Sequence, residues 1–109
     1  MTNAPLDRLF AVIAARKGGD PAGSYTAKLL GQGVALCAKK FGEESVETVI
    51  AAMAGDKTQL AAESADALYH LLVLWAAAGI TPAEVYAVLR AREGLSGLDE
   101  KASRAGPNL

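Results

Sequence analysis

The chain has 109 residues, a formal net charge of −1 and a single cysteine, Cys37. This length fits one domain, and the nearly balanced charge excludes a general positive field that would attract nucleic acid. The single cysteine excludes an internal disulfide, so we expect a chain from a reducing compartment, the cytoplasm.

The first third of the chain predicts a long helix followed by a short one. An apolar face with helical spacing is formed by Leu6, Leu9, Phe10 and Ile13. This helix should end at Gly18-Gly19, because the Gly-Gly-Asp-Pro sequence found there cannot continue a helix. Ser24 then begins a short turn or helix that should extend through Leu30.

Two long helices joined by a tight turn are predicted next. The first runs from about Val34 to Ala54, and the chain should reverse at Gly55-Asp56. Asp56 is well placed to cap the following helix, with Gln59 three residues later as a variant of the capping box. Gly79 should end this second long helix.

The helix before Gly79 is apolar on nearly every side. Its large apolar residues are Leu60, Leu68, Leu71, Leu72, Val73, Leu74 and Trp75. A monomer of this size could hardly cover them all, so we expect a homodimer of helical chains. The apolar run over residues 67–80 is shorter than the ~20 residues of a membrane span and contains His70, so we expect no membrane helix. Nor does the N-terminus have the pattern of a secretory signal.

The last predicted helix opens with Thr81-Pro82-Ala83-Glu84, in which Thr81 caps the helix and Glu84 completes a capping box. It should end near Gly94, and residues 95–109 should form an extended or partly ordered tail. No strand pattern or internal repeat is apparent. The sequence therefore predicts one all-α domain over residues 1–94, a dimeric bundle of four to five helices, followed by the tail.

Four acidic residues lie symmetrically about Gly55. Glu44 and Glu47 precede the turn, and Glu63 and Asp66 follow it at matching distances along the sequence. In two antiparallel helices Glu47 would lie level with Glu63, and Glu44 level with Asp66. The members of each pair are also neighbours along their own helix. The four carboxylates should therefore converge on one place.

Such a cluster predicts a bound divalent cation. Carboxylates packed together repel one another, and Mg²⁺ with oxygen ligands removes that repulsion. The simpler alternative is that each acid is a solvated surface residue, as most helical glutamates are. That alternative suits one acid better than four beside packed helix faces. No basic residue lies between Lys40 and Lys57 to pair with them.

Lys40 and His70 lie near the acids in the sequence, and each has two interpretations. Lys40 could form an ordinary surface ion pair with Glu44, or it could bind substrate phosphates together with Lys28 at the edge of the metal site. His70 could be a buried core residue with its hydrogen bonds satisfied, or it could orient Asp66 or contact a ligand. We expect a core residue, because Mg²⁺ does not favour imidazole.

The spacing of the acids resembles a known signature. Glu43-Glu44-x-x-Glu47, followed after fifteen residues by Glu63-x-x-Asp66, is similar to the motif of the all-α nucleoside triphosphate pyrophosphohydrolases. Three further segments look like the phosphoribosyl-ATP pyrophosphohydrolase family of histidine biosynthesis: Ser24-Tyr25-Thr26 with Leu29, Lys40 to Glu44, and Asp66 to His70. The likeness covers about residues 6–93. Ser45 and Ala67 replace an alanine and a leucine that we expect in this family, and neither change removes a ligand.

The resemblance implies an activity and a set of site residues. The implied reaction is the Mg²⁺-dependent hydrolysis of phosphoribosyl-ATP to phosphoribosyl-AMP and pyrophosphate by a dimer. The metal ligands carry over as Glu44, Glu47, Glu63 and Asp66, and the candidate base is Glu43 or Glu47. Substrate binding is expected of Ser24, Tyr25, Lys28 and Lys40.

Two alternatives to this reaction stay open on the sequence. A house-cleaning pyrophosphohydrolase that acts on deoxynucleoside triphosphates would use the same acidic motif. A non-enzymatic helical oligomerisation module would bind Mg²⁺ weakly or not at all, and its acids would tolerate replacement.

Overall fold

The computed structural model describes residues 4–94. Within this range the chain forms five helices and no strand, namely α1 (Pro5–Ala15), α2 (Tyr25–Gly31), α3 (Val34–Met53), α4 (Lys57–Ala78) and α5 (Pro82–Ala91). The predicted all-α fold is confirmed, and the helix bounds lie within a few residues of those expected. The predicted tail, residues 95–109, lies outside the described residues.

Helices α3 and α4 form an antiparallel hairpin around the predicted reversal at Gly55-Asp56. Gly55 has a φ of +72°, in the left-handed region that favours glycine. Gly79 has a φ of +80° and ends α4 in the same way. Among the described residues, the contact between α3 and α4 is the most extensive contact between two helices.

Side-chain caps begin the last two helices. Asp56 accepts a hydrogen bond from Gln59 N–H at 2.9 Å at the start of α4. Thr81 and Glu84 form the predicted capping box at the start of α5. The predicted box at α4 is incomplete, because the Gln59 side chain bonds the Glu63 carboxylate one turn further along the helix.

The hydrophobic core lies at the end of the hairpin away from Gly55, where α1 and α2 pack against the second half of α4. Its buried residues are Ile13, Leu29, Leu30, Cys37, Leu72, Val73 and Ala76. Leu72 and Val73 are thus covered by their own chain, and Trp75 packs against the same core. Cover by a partner chain is therefore not needed for Leu72 and Val73, because α1 and α2 supply it, and the homodimer itself stays a prediction.

Helix α5 turns back from α4 and is tied to α1. The Tyr86 hydroxyl donates a hydrogen bond to Asp7 Oδ1 at 3.0 Å, and Pro82 is buried at the junction. Over residues 4–94 no single helix is long and apolar enough to cross a membrane. Only α4 and α5 taken together meet those requirements, and they are bent by 107° at their junction.

One apolar surface on α3 is uncovered. Its four residues follow the spacing i, i+3, i+4 and i+7 of a single helix face and are between 55% and 81% exposed: Val46, Val49, Ile50 and Met53. We call this surface the α3 stripe. It lies on the half of the hairpin near Gly55, and Leu68 on α4, which is 43% exposed, adds to the apolar surface that the chain itself leaves uncovered.

Candidate metal centre

Three of the predicted acids come together across the hairpin. Glu44 on α3 and Glu63 and Asp66 on α4 each offer an oxygen, and these oxygens all lie within 4.8 Å of one another. Glu44 and Glu63 are partly buried, whereas Asp66 is exposed. The i, i+3 spacing puts Glu63 and Asp66 side by side on α4, and the antiparallel pairing brings Glu44 to them.

Glu47 does not belong to this group, so the predicted convergence of four carboxylates is reduced to three. Its side chain is exposed on α3, one turn from Glu44 and beside Val46 and Ile50 of the α3 stripe. Spacing along the helix placed Glu47 correctly near Glu44. It did not predict that the carboxylate would remain on the solvent side.

The three carboxylates have little compensating charge around them. Gln59 Nε2 donates a hydrogen bond to Glu63 Oε1 at 2.7 Å, and this partner is neutral. In the part of the chain that the structure describes, no lysine or arginine forms an ion pair with Glu44, Glu63 or Asp66. Carboxylate oxygens without a protein cation are the donor set that suits a hard divalent ion, so these residues fit Mg²⁺.

His70 is buried, as expected, but its hydrogen bonds are not satisfied as predicted for a core residue, and the acid that it faces is Glu44 rather than Asp66. It is 6% exposed, and its Nε2 lies 4.0 Å from Glu44 Oε1, beyond hydrogen-bond distance. Asp66, which is one turn away on the same helix, is not its partner. The Tyr69 and Tyr25 rings stand edge-on to the imidazole, with centroids 5.0 and 6.3 Å away, and Nδ1 has no hydrogen-bond partner among the described residues.

The start of α2 lies beside this imidazole. Ser24 caps α2 by accepting a hydrogen bond from Ala27 N–H at 3.1 Å. The Thr26 hydroxyl is hydrogen-bonded to the Tyr69 hydroxyl, which fixes α2 on α4. Tyr25 is 55% exposed, so its ring borders both His70 and solvent.

The predicted phosphate-binding lysines are accessible. Lys28 is exposed, and Lys40 Nζ forms an ion pair with Glu43 Oε1 at 3.4 Å. Lys40 therefore takes the acid three residues away rather than Glu44 as its partner. Both side chains of this pair are well exposed, at 38% and 50%, so the pair contributes little to stability.

Thr48 is a residue of this site that the sequence pattern did not predict. Its hydroxyl lies 2.9 Å from the main-chain oxygen of Glu44 and 3.2 Å from that of Glu63. The hydrogen bond to Glu44 could have been predicted, because a threonine inside a helix can bond the carbonyl four residues earlier. The hydrogen bond to Glu63 could not have been predicted, because it depends on how α3 faces α4.

Comparisons with known proteins agree on one family. A family model described as phosphoribosyl-ATP pyrophosphohydrolase matches residues 6–93. A protein named phosphoribosyl-ATP pyrophosphatase from Parvibaculum lavamentivorans is 66% identical over 99 residues, which cover 91% of this chain and 91% of the relative. Proteins of the same name from Paramagnetospirillum magneticum and Azospirillum brasilense are each 60% identical, over 92% and 93% of this chain and 92% and 91% of theirs. The chain belongs to the phosphoribosyl-ATP pyrophosphohydrolase family.

Proposed function

We propose that this chain hydrolyses phosphoribosyl-ATP to phosphoribosyl-AMP and pyrophosphate in histidine biosynthesis. The observation that carries the proposal is the group of three carboxylates shared by α3 and α4, which lies inside the residues matched by the family model. Hydrolysis of a phosphoric anhydride needs neutralised phosphate oxygens and an activated water. A carboxylate group without a protein cation is suited to hold the ion that meets both needs.

Glu44, Glu63 and Asp66 would hold Mg²⁺, and Glu47 would be a further ligand from α3. When bound, Mg²⁺ would offset the charge of the phosphates and make a water more acidic. Gln59 would orient the Glu63 carboxylate through the 2.7 Å hydrogen bond to Oε1, which leaves the other oxygen for the ion. The all-oxygen donor set favours a hard cation over softer transition metals.

Glu43 or Glu47 would accept the proton of the attacking water. Both side chains are exposed on α3 near Glu44. Glu43 is already paired with Lys40, whereas Glu47 forms no ion pair with any described residue. Because Lys40 would leave Glu43 when it binds substrate, the base would be whichever of the two glutamates the ion does not hold.

Substrate would bind between the acids and the start of α2. Tyr25 offers an exposed ring beside His70. Ser24 retains its hydroxyl proton for a ligand, because its oxygen acts as the acceptor in the cap. Lys28 and Lys40 would bind phosphate oxygens. Lys40 would leave Glu43, which is an exposed partner, and pair with the more highly charged phosphates of the substrate.

Our proposal includes a homodimer formed through the α3 stripe. A groove of about 300 Å³ adjoins the hairpin on the side of Thr48 and is lined by Phe41, Ser45, Thr48, Ser64, Ala67, Leu68 and Leu71. A partner that covers the stripe and this groove would remove exposed apolar area from water, at about 25 cal/mol per Å². Glu47 borders the stripe, so the active site would lie near the dimer interface.

We place the reaction in the cytoplasm. Cys37 is the single cysteine of the chain and is buried in the core, where its thiol donates to Leu29 O at 3.2 Å. Burial raises the pKa of this thiol, so it stays protonated and unreactive at neutral pH. Nothing in this arrangement requires an oxidising compartment.

A substrate panel tests the reaction. The chain with Mg²⁺ is given phosphoribosyl-ATP and, separately, each deoxynucleoside triphosphate, and released pyrophosphate is measured. We expect kcat/KM for phosphoribosyl-ATP to exceed that for any deoxynucleotide by about 100-fold. Deoxynucleotides lack the second ribose phosphate, so the polar groups that bind it would have no partner when a deoxynucleotide is bound. Equal turnover would indicate a house-cleaning enzyme, and no release from any nucleotide would contradict an enzymatic role.

Glu63→Gln tests the metal centre. The amide keeps the shape of the side chain and can still accept from Gln59, but it removes one ligand charge. We expect Mg²⁺ to raise the thermal midpoint of the unchanged chain and to raise that of the variant far less, with pyrophosphate release reduced more than about tenfold. Glu93→Gln, at an exposed acid beyond α5, is the matched control and should behave like the unchanged chain. A fully active Glu63→Gln variant would overturn the assignment.

Lys40→Ala tests phosphate binding. Because the ammonium would bind substrate and not the ion, KM for phosphoribosyl-ATP should rise by about tenfold while the Kd for Mg²⁺ stays the same. Lys39→Ala removes the adjacent exposed ammonium and serves as the control. Equal losses in both affinities would contradict a role confined to the substrate.

Val49→Glu tests the dimer. Val49 is 59% exposed on the α3 stripe, and Val12, which is 51% exposed on α1, provides a matched control. Light scattering at micromolar concentration should show a dimer for the unchanged chain and for Val12→Glu, and a monomer or aggregate for Val49→Glu. A stable monomer of the unchanged chain would show that the stripe is simply solvated.

A further inference from the structure

The Thr48 hydroxyl lies between the main chains of two residues of the candidate metal centre. Its distances are 2.9 Å to Glu44 O on α3 and 3.2 Å to Glu63 O on α4. Within residues 4–94 it makes the one side-chain hydrogen bond that directly joins these two helices. This hydrogen bond is partly buried.

A hydroxyl has one proton, so Thr48 donates a hydrogen bond shared between the two carbonyl oxygens. Each carbonyl also belongs to its own helical ladder, and Thr48 uses the second lone pair that the ladder leaves. The bond to Glu44 is the usual contact of a threonine with the carbonyl four residues earlier. The bond to Glu63 breaks when α3 slides along α4 or moves away from it.

We propose that Thr48 is a positioning residue that sets the register of α3 against α4 and thereby the spacing of Glu44 from Glu63. This inference rests on the proposed Mg²⁺ site. Before the ion binds, the carboxylates of Glu44, Glu63 and Asp66 repel one another across the same contact. The hydroxyl holds the main chains of Glu44 and Glu63 together against that repulsion. The ligands are therefore already assembled when the ion arrives.

Ser45 provides a natural comparison within the same helix. Its hydroxyl donates to Phe41 O at 2.9 Å, which matches the intrahelical bond of Thr48. Ser45 makes no hydrogen bond to α4 among the described residues. Both side chains line the same groove, so they share surroundings and differ in the cross-helix bond.

The test uses three variants of the full chain. Thr48→Val removes the hydroxyl and keeps the branched shape, Thr48→Ser keeps the hydroxyl, and Ser45→Ala removes only an intrahelical bond. Two quantities are measured: the Kd for Mg²⁺ by calorimetry, and amide hydrogen exchange of α3 and α4 in EDTA. We expect Thr48→Val to weaken Mg²⁺ binding by about tenfold and to speed exchange near Gly55, while the other two variants stay close to the unchanged chain.

Three outcomes would overturn the proposal: unchanged Mg²⁺ affinity in Thr48→Val, an equal loss in Ser45→Ala, or a Thr48→Ser variant as weak as Thr48→Val. Unfolding does not confuse the result, because valine and threonine have similar helix propensities and hydrogen exchange reports the fold directly. If the unchanged chain binds no Mg²⁺, the proposed function fails on its own. The exchange rates in EDTA then decide alone whether Thr48 sets the register.

Discussion

Helices α3 and α4 have to pack closely while their facing residues carry carboxylates that repel one another. Oxygens of Glu44, Glu63 and Asp66 lie within 4.8 Å of one another across the contact that holds the hairpin together. Like charges at this distance disfavour the folded state unless a cation joins them or other packing opposes them. The stability of the domain and the proposed chemistry therefore depend on the same helix pair.

Helix α4 divides these two tasks along its length. Its first half carries the acids, and its second half carries Leu72 and Val73, which are buried under α1 and α2. His70 lies where the two halves meet, against Tyr69 and one turn of helix from the core. The first half packs against α3, and the repelling carboxylates lie along that contact, where Asp66 is exposed. This arrangement suits a site that has to stay open to a nucleotide.

Much of the fold was predictable because residues at the helix ends determine where each helix begins and ends. Gly55 ends one helix, Asp56 caps the next, and Thr81 with Glu84 forms the box that begins α5. The meeting of Glu44, Glu63 and Asp66 then followed from the antiparallel pairing of α3 and α4 around Gly55. The family resemblance supplied the reaction, which no periodicity could indicate.

The parts that could not be predicted depend on side-chain direction and on the facing helix. Glu47 stays on the solvent side, and His70 faces Glu44 from the other helix instead of Asp66 from its own. The cross-helix bond of Thr48 is invisible in the sequence for the same reason. The apolar character of α4 predicts a partner chain, but a periodicity cannot distinguish cover by α1 and α2 from cover by a second chain.

The most direct measurement is anomalous diffraction from crystals grown with Mn²⁺ in place of Mg²⁺. We expect one or more anomalous peaks from Mn²⁺ bound by carboxylate oxygens of both helices, with metal–oxygen distances of roughly 2.0–2.6 Å to Glu44, Glu63 and Asp66. Crystals of active protein with Mn²⁺ bound elsewhere, or with ligands from one helix only, would contradict a metal site shared by α3 and α4.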